Sequence, residues 1–143
     1  MNEDSIQLLK EIDSGCFMAI NSLHQMEESD MPTDQHDMLT KYVEQHDAIQ
    51  KEASTLLHRN DETDKQPGMM ASAMSWLTTE IKMMLHDDST QIAKIMMNGC
   101  NMGIQSISET MNKYDKASKE SKALAEKLVK EEENFMKELK GYL

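Results

Sequence analysis

Between residues 92 and 114 apolar side chains recur with a helical period. Ile92, Met96, Cys100, Gly103, Ile107, Met111 and Tyr114 follow one another at steps of three or four, which places them along one face of an α-helix. A narrow seam of this kind packs against several neighbouring helices. Gly99 and Gly103 lie on or beside it, four residues apart, and would let another backbone come close. Glycine costs about 1 kcal/mol in a helix interior, so the pair points to a packing requirement.

The same period organises the rest of the chain. A first helix is predicted over about 5–28, with Leu9, Ile12, Cys16, Ile20 and Leu23 inward and Asp4 with Gln7 as a capping box. The link SDMPTD breaks it at Pro32 and offers Asp34 as a cap. A second helix over about 35–59 turns Leu39, Tyr42, His46, Ile49, Ala53 and Leu57 inward. The polar stretch NDETDKQPG, closed by Pro67 and Gly68, is the clearest break. A shorter helix over about 69–85 follows, roughly 25 Å long at 1.5 Å per residue. Asp88 with Gln91 then caps a third helix over about 89–114. The link YDKAS has neither glycine nor proline, and a fourth helix over about 116–140 turns Leu124, Leu128, Phe135, Leu139 and Tyr142 inward. Glu126 with Lys130 and Glu133 with Lys137 are favourable pairs on its wet side.

Short links make the first and second helices antiparallel, and likewise the third and fourth. The shorter helix is long enough to return the chain from one end of a bundle to the other. The second and third helices would then run parallel, as in a bundle with one long crossover connection. Residues 1–143 are thus read as a single all-α domain: a four-helix bundle with an extra, shorter crossover helix.

Composition agrees, with 4% aromatic residues, two prolines and five glycines. The formal charge of −11 is uneven: residues 1–112 hold 7 basic and 19 acidic side chains, residues 113–143 hold 8 and 7. Such a surface repels phosphate backbones, which argues against a nucleic-acid partner. It tolerates cations or basic partners, but the simpler reading is the solvated face of an acidic protein. No run of about 20 apolar residues is present, so no membrane span is expected. The start MNEDSIQLLKEID lacks a signal-peptide core. Two cysteines in such a chain read as reduced thiols, and the cytoplasm is the expected address.

The segments SGCFMAINSL, AMSWL, NGCNMGIQSISETMNKY and EEENFMKELKGYL, read with the crossover topology, resemble the ferritin-like superfamily, and within it small uncharacterised bacterial proteins. The resemblance implies that fold. It also implies, in its best-known form, two metal ions held by a Glu from each of two helices and a Glu-x-x-His from each of the others. This chain departs from that pattern on every helix. Asp13 is at the margin of the first stripe. Glu44 points away from the second seam, and Asp47 stands where its histidine belongs. Glu109 is off the third stripe, and Phe135 stands three residues after Glu132. A dinuclear carboxylate site is therefore not expected.

One constellation remains. Cys16, His46 and Cys100 each lie about 12 residues into their helices, roughly 18 Å from the start, and so share a mid-bundle layer with Glu132 about one turn away. Two thiolates and an imidazole suit zinc or another borderline-soft ion, with iron as the other candidate. The simpler explanation of the same residues is a small buried hydrophobe, twice, and a core histidine satisfied by a hydrogen bond. Fifteen methionines are read as core filler, with Cu(I) ligation or an adaptable partner surface as the alternative. Met97 and Ile104 lie on a flank of the third helix that would cover the crossover or form a dimer face, and Trp76 would anchor the crossover. His24, His36, His58 and His86 lie near helix ends or polar flanks. No nucleophile elbow, phosphate loop, carboxylate pair or EF-hand spacing is present.

Two readings stand. The first is a non-enzymatic bundle without a cofactor, acting through a homodimer or another protein. The second is a metal-binding or thiol-redox bundle built on Cys16, His46 and Cys100 with Glu132.

Overall fold

In a computed structural model, residues 1–60 and 89–143 are described. They form α1 (Glu3–Met26), α2 (Thr33–His58), α3 (Ser89–Lys113), α4 (Lys119–Leu139) and a closing 3-10 turn (Lys140–Tyr142). There is no strand among the described residues. The helix expected at 69–85, Trp76, His86 and the break at residues 61–68 lie outside them.

Cap chemistry sets the ends, and not always where the pattern placed them. α1 starts two residues earlier than expected, because the Asn2 carboxamide accepts from the Ser5 amide at 2.9 Å, with Glu3 and Asp4 in the first turn favouring the positive end of the helix dipole. α2 starts behind Pro32, whose side chain makes no cap bond. Asp34 lies inside the helix and accepts from the neighbouring Gln35 amide at 3.0 Å. α4 starts at Lys119, not 116, with Ser118 as its cap. The reason is tertiary. The Lys116 amide donates to Asp4 at 3.0 Å, its carbonyl accepts from Asn2 at 2.8 Å, and the Ser118 amide donates to Ser5 Oγ at 2.7 Å. A link with no turn-forming residue is held in place by the start of α1.

That latch puts the starts of α1 and α4 at one end. At the other end, Gln35 Nε2 donates to the Ser89 carbonyl at 3.1 Å and Ser89 Oγ donates to Gln35 Oε1 at 2.6 Å, so α2 and α3 start together and run parallel. The end of α2 and the start of α3 therefore lie at opposite ends of the bundle. α1 packs on all three other helices, and α2 packs on α1 and α4.

The interior falls into two apolar clusters. One, toward the α3–α4 link, contains Leu9, Ile12, Cys16, Ile49, Leu57, Ile107, Leu124 and Leu128. The other, toward the α1–α2 link, contains Leu23, Leu39, Tyr42, Ile92, Met96, Cys100, Phe135 and Leu139. The six positions read inward on α2 are all buried. Ile20 and Tyr142, read inward, are half-buried. α1 buries a wider arc than its stripe, including Glu11 and Asp13, because it faces three neighbours.

Candidate functional site

His46 and Glu132 occupy the layer between the two clusters. Each sits on the inward stripe of its helix, His46 between Tyr42 and Ile49, Glu132 between Leu128 and Phe135. The antiparallel packing of α2 on α4 brings them together, and His46 Nε2 is hydrogen-bonded to Glu132 Oε1. The two residues are 1% and 7% exposed. His46 Nδ1 donates to the Tyr42 carbonyl at 2.6 Å, which fixes the proton on that nitrogen. Burial works against a charged imidazole, but the Glu132 bond and charge, the Tyr42 carbonyl and the Glu131 charge outweigh it. The His46 pKa ends above its ordinary value. With Nδ1 protonated, one further proton lies between Nε2 and Oε1, so the pair is internally compensated. One turn away Tyr42 and Phe135 stack at 4.1 Å and 10°, and at the rim Lys41 bonds Glu138 at 2.8 Å. Three contacts in register thus clamp α2 to α4.

Above the pair lies a cleft between α1 and α3 of ≈ 70 Å³. Gly15, Met18 and Ala19 line it from α1, and Met96, Gly99, Cys100, Met102 and Gly103 from α3, while His46, Glu132 and Phe135 form its floor. The glycines explain the opening. A Cβ on Gly103 would rest 3.8 Å from Glu132 Cγ and Cδ and 3.9 Å from Oε2, and one on Gly15 would meet nothing within 4 Å. Both glycines and Glu132 line this one cleft. The Cys100 thiol is pushed well above its usual range by burial and then by the Glu132 charge and a hydrogen bond to Glu132. Glu131, next along α4, is half-buried with Oε2 unbonded, and burial raises its carboxyl pKa despite His46 and Lys127.

The structure thus brings three of the four singled-out residues, His46, Cys100 and Glu132, to one cavity. Cys16 is fully buried in the neighbouring cluster and does not line the cleft. Burial, followed by the charges of Glu132, Asp13 and Glu131, raises its thiol well above the usual value. Both thiols are free. Among the described residues no group of three or more His, Cys, Asp or Glu side chains is arranged to hold a metal ion. His46 and Glu132 spend their facing atoms on each other. Sequence reasoning missed Gly15 and Met18, which complete the cleft, and buried Glu11, which accepts from Ser106 Oγ at 3.0 Å. Their signal is weak, since they sit beside the apolar stripe of α1 and only the approach of α3 gives them a role.

Four helices with two parallel central segments and two packed clusters define a small all-helical bundle. Among solved structures, it is similar to the DUF305 fragment from Deinococcus radiodurans, with 12% identity, a TM-score of 0.79, and coverage of 98% of this chain and 95% of that one. At that identity the likeness carries the fold alone. Neither a protein-family model nor a curated protein matches the chain. No helix among the described residues is long and apolar enough to cross a membrane.

Proposed function

We propose that this is a non-enzymatic, ferritin-like bundle that acts by binding, with the α1–α3 cleft in place of a dinuclear carboxylate centre. The parallel run of α2 and α3 supports the ferritin-like topology. The dinuclear donor set does not fit the residues present. Glu109 on α3 and Glu44 on α2 are exposed, and α2 supplies only His46, already bonded to Glu132.

The observation that carries the binding reading is the cleft itself. It is apolar along its walls, has polar groups at its floor, and is open through glycine positions. Apolar walls with a few convergent polar groups are the usual lining of a small-ligand site. A small neutral probe tests whether the cleft admits a ligand at all. Phenol titrated into the full chain is expected to move the methyl NMR signals of Met18, Met96 and Met102 and to leave those of Met26 and Met38. Gly103→Leu, which covers the floor, is expected to abolish the response. If the three cleft methyls stay still while the protein is folded, the binding reading fails.

The dimer reading has its own test. Met97 packs at the edge of the second cluster and Ile104 is half-buried, so a two-chain assembly would use that flank. Light scattering is expected to show a dimer that Ile104→Glu dissociates, and a strict monomer at micromolar concentration removes the idea.

A further inference from the structure

The cleft walls carry an unusual donor set. Cys100 and Met96 stand one turn apart on α3, Met102 lines the same space from that helix, and Met18 faces them from α1. Met18, Met96 and Cys100 are 8%, 4% and 3% exposed, so their sulfurs are largely removed from water. We propose that the cleft binds one soft monovalent cation, Cu(I) or its redox-inert mimic Ag(I), through the Cys100 thiolate and the thioethers of Met18, Met96 and Met102. The proposal rests on the cleft being a binding site, as argued above, and names the ligand class.

Three observations favour this ion over a harder one. First, one thiol with several thioethers is a soft set, and thioether and thiolate ligands select Cu(I). No third His, Cys, Asp or Glu joins His46 and Glu132 in an arrangement that would hold a harder metal among the described residues. Second, charge balances. His46 and Glu132 already compensate each other, so the site has one charge to supply, by loss of the Cys100 proton. The step is M⁺ + R–SH → R–S–M + H⁺. The S–H bond breaks, the S–M bond forms, and the proton leaves to solvent with no change of oxidation state. The cavity stays neutral, whereas a divalent ion would leave a positive charge in an apolar site, which is costly. Third, a cleft of ≈ 70 Å³ holds a bare ion and a few side-chain atoms but no hydration shell. Soft monovalent ions tolerate that, and strongly hydrated ones such as Mg²⁺ do not.

The position of Cys16 makes the proposal sharp. Both cysteines are buried free thiols, but only Cys100 lines the cleft. The reduced, metal-free full chain is titrated with Ag(I), and with Cu(I) in competition against bicinchoninate under anaerobic conditions, and read by native mass spectrometry and methionine methyl NMR. The first equivalent is expected to bind as one ion and shift Met18, Met96 and Met102. Cys100→Ser is expected to weaken binding roughly a hundredfold, about 2.7 kcal/mol, and the volume-conserving triple variant Met18→Leu/Met96→Leu/Met102→Leu about tenfold. Cys16→Ser and Met26→Leu/Met38→Leu are expected to bind as the wild type does. Gly103→Leu keeps every sulfur and should block access, which covers the case in which Cys100→Ser fails to fold.

Unchanged binding in Cys100→Ser, an equal loss in Cys16→Ser, or first shifts at Met1, Met69, Met70, Met74, Met83 or Met84 would each overturn the assignment. Phenol shifting the cleft methyls while Ag(I) and Cu(I) do not would remove the cation and leave the cleft as a binding site. Silence toward all three probes would remove both.

Discussion

Replacing Glu132 with Met tests whether the buried pair holds α2 to α4. The variant keeps side-chain volume but removes the partner of an imidazole that is 1% exposed. Breaking a buried pair from one side costs about 3–5 kcal/mol, because the remaining group stays buried without its partner. Two structural facts lower that figure. His46 Nδ1 keeps its bond to the Tyr42 carbonyl, so only Nε2 is orphaned, and the adjacent cleft of ≈ 70 Å³ has room for a water to reach it. The expected loss is then about 2–3 kcal/mol, or roughly 8 °C in Tm for a chain of this length. His46→Leu should cost a similar amount, because it leaves the carboxylate unpaired. The double variant His46→Leu/Glu132→Met replaces the pair with apolar volume and should recover to within about 1 kcal/mol of the wild type. Urea unfolding followed by circular dichroism measures all four corners of this cycle. Losses that add to within about 0.5 kcal/mol would show that the two side chains are not coupled, and the account of the bundle's middle layer would be wrong.

The pH dependence follows from the same pair. His46 is raised above its ordinary value in the folded state, so its contribution is complete below the unfolded value of about 6.5 and is lost as pH rises through the folded one. Urea midpoints should therefore fall with rising pH in the wild type more steeply than in His46→Leu, where Glu131, Glu132, Cys100 and Tyr42 remain; parallel curves would refute this. Gly103→Ala places its Cβ in ordinary contact with Glu132 and gains helix propensity, so it should stabilise by up to about 1 kcal/mol, and a loss of that size would mean the α3–α4 approach is closer than described. Asn2→Ala removes both the α1 cap and the bond to Lys116, at about 1 kcal/mol. It should also speed hydrogen exchange at the Lys116 and Ser118 amides, and unchanged exchange there would show that the link holds itself. Because burial raises both thiols, iodoacetamide at pH 8 should label the native protein slowly, with Cys100 ahead of Cys16; rapid labelling of Cys16 would contradict its place in the closed cluster.

Periodicity made the helical faces legible. The α2 stripe from Leu39 to Leu57 is buried as read, and Cys100, Leu128 and Phe135 lie inward. The unequal link lengths already implied that α2 and α3 run parallel, since short links reverse direction and a long one need not. Glu132 was placed inward on position alone, and its bond to His46 follows from the antiparallel fit of two stripes.

What the chain could not disclose by itself was azimuth and depth. A stripe says which way a side chain faces, but not which neighbour it meets. Cys16 and Cys100 look equivalent by their distance along a helix, yet one is sealed in the first cluster and the other opens on the cleft. The 116–118 link carries no turn residue, so its end was set by Asn2, Asp4 and Ser5 from far away in sequence. Gly15 and Met18 gained a role only when α3 stopped short of closing over them. Local pattern fixes helices because their hydrogen bonds are local, whereas a cavity is what remains between elements, and only their packing decides where it is left.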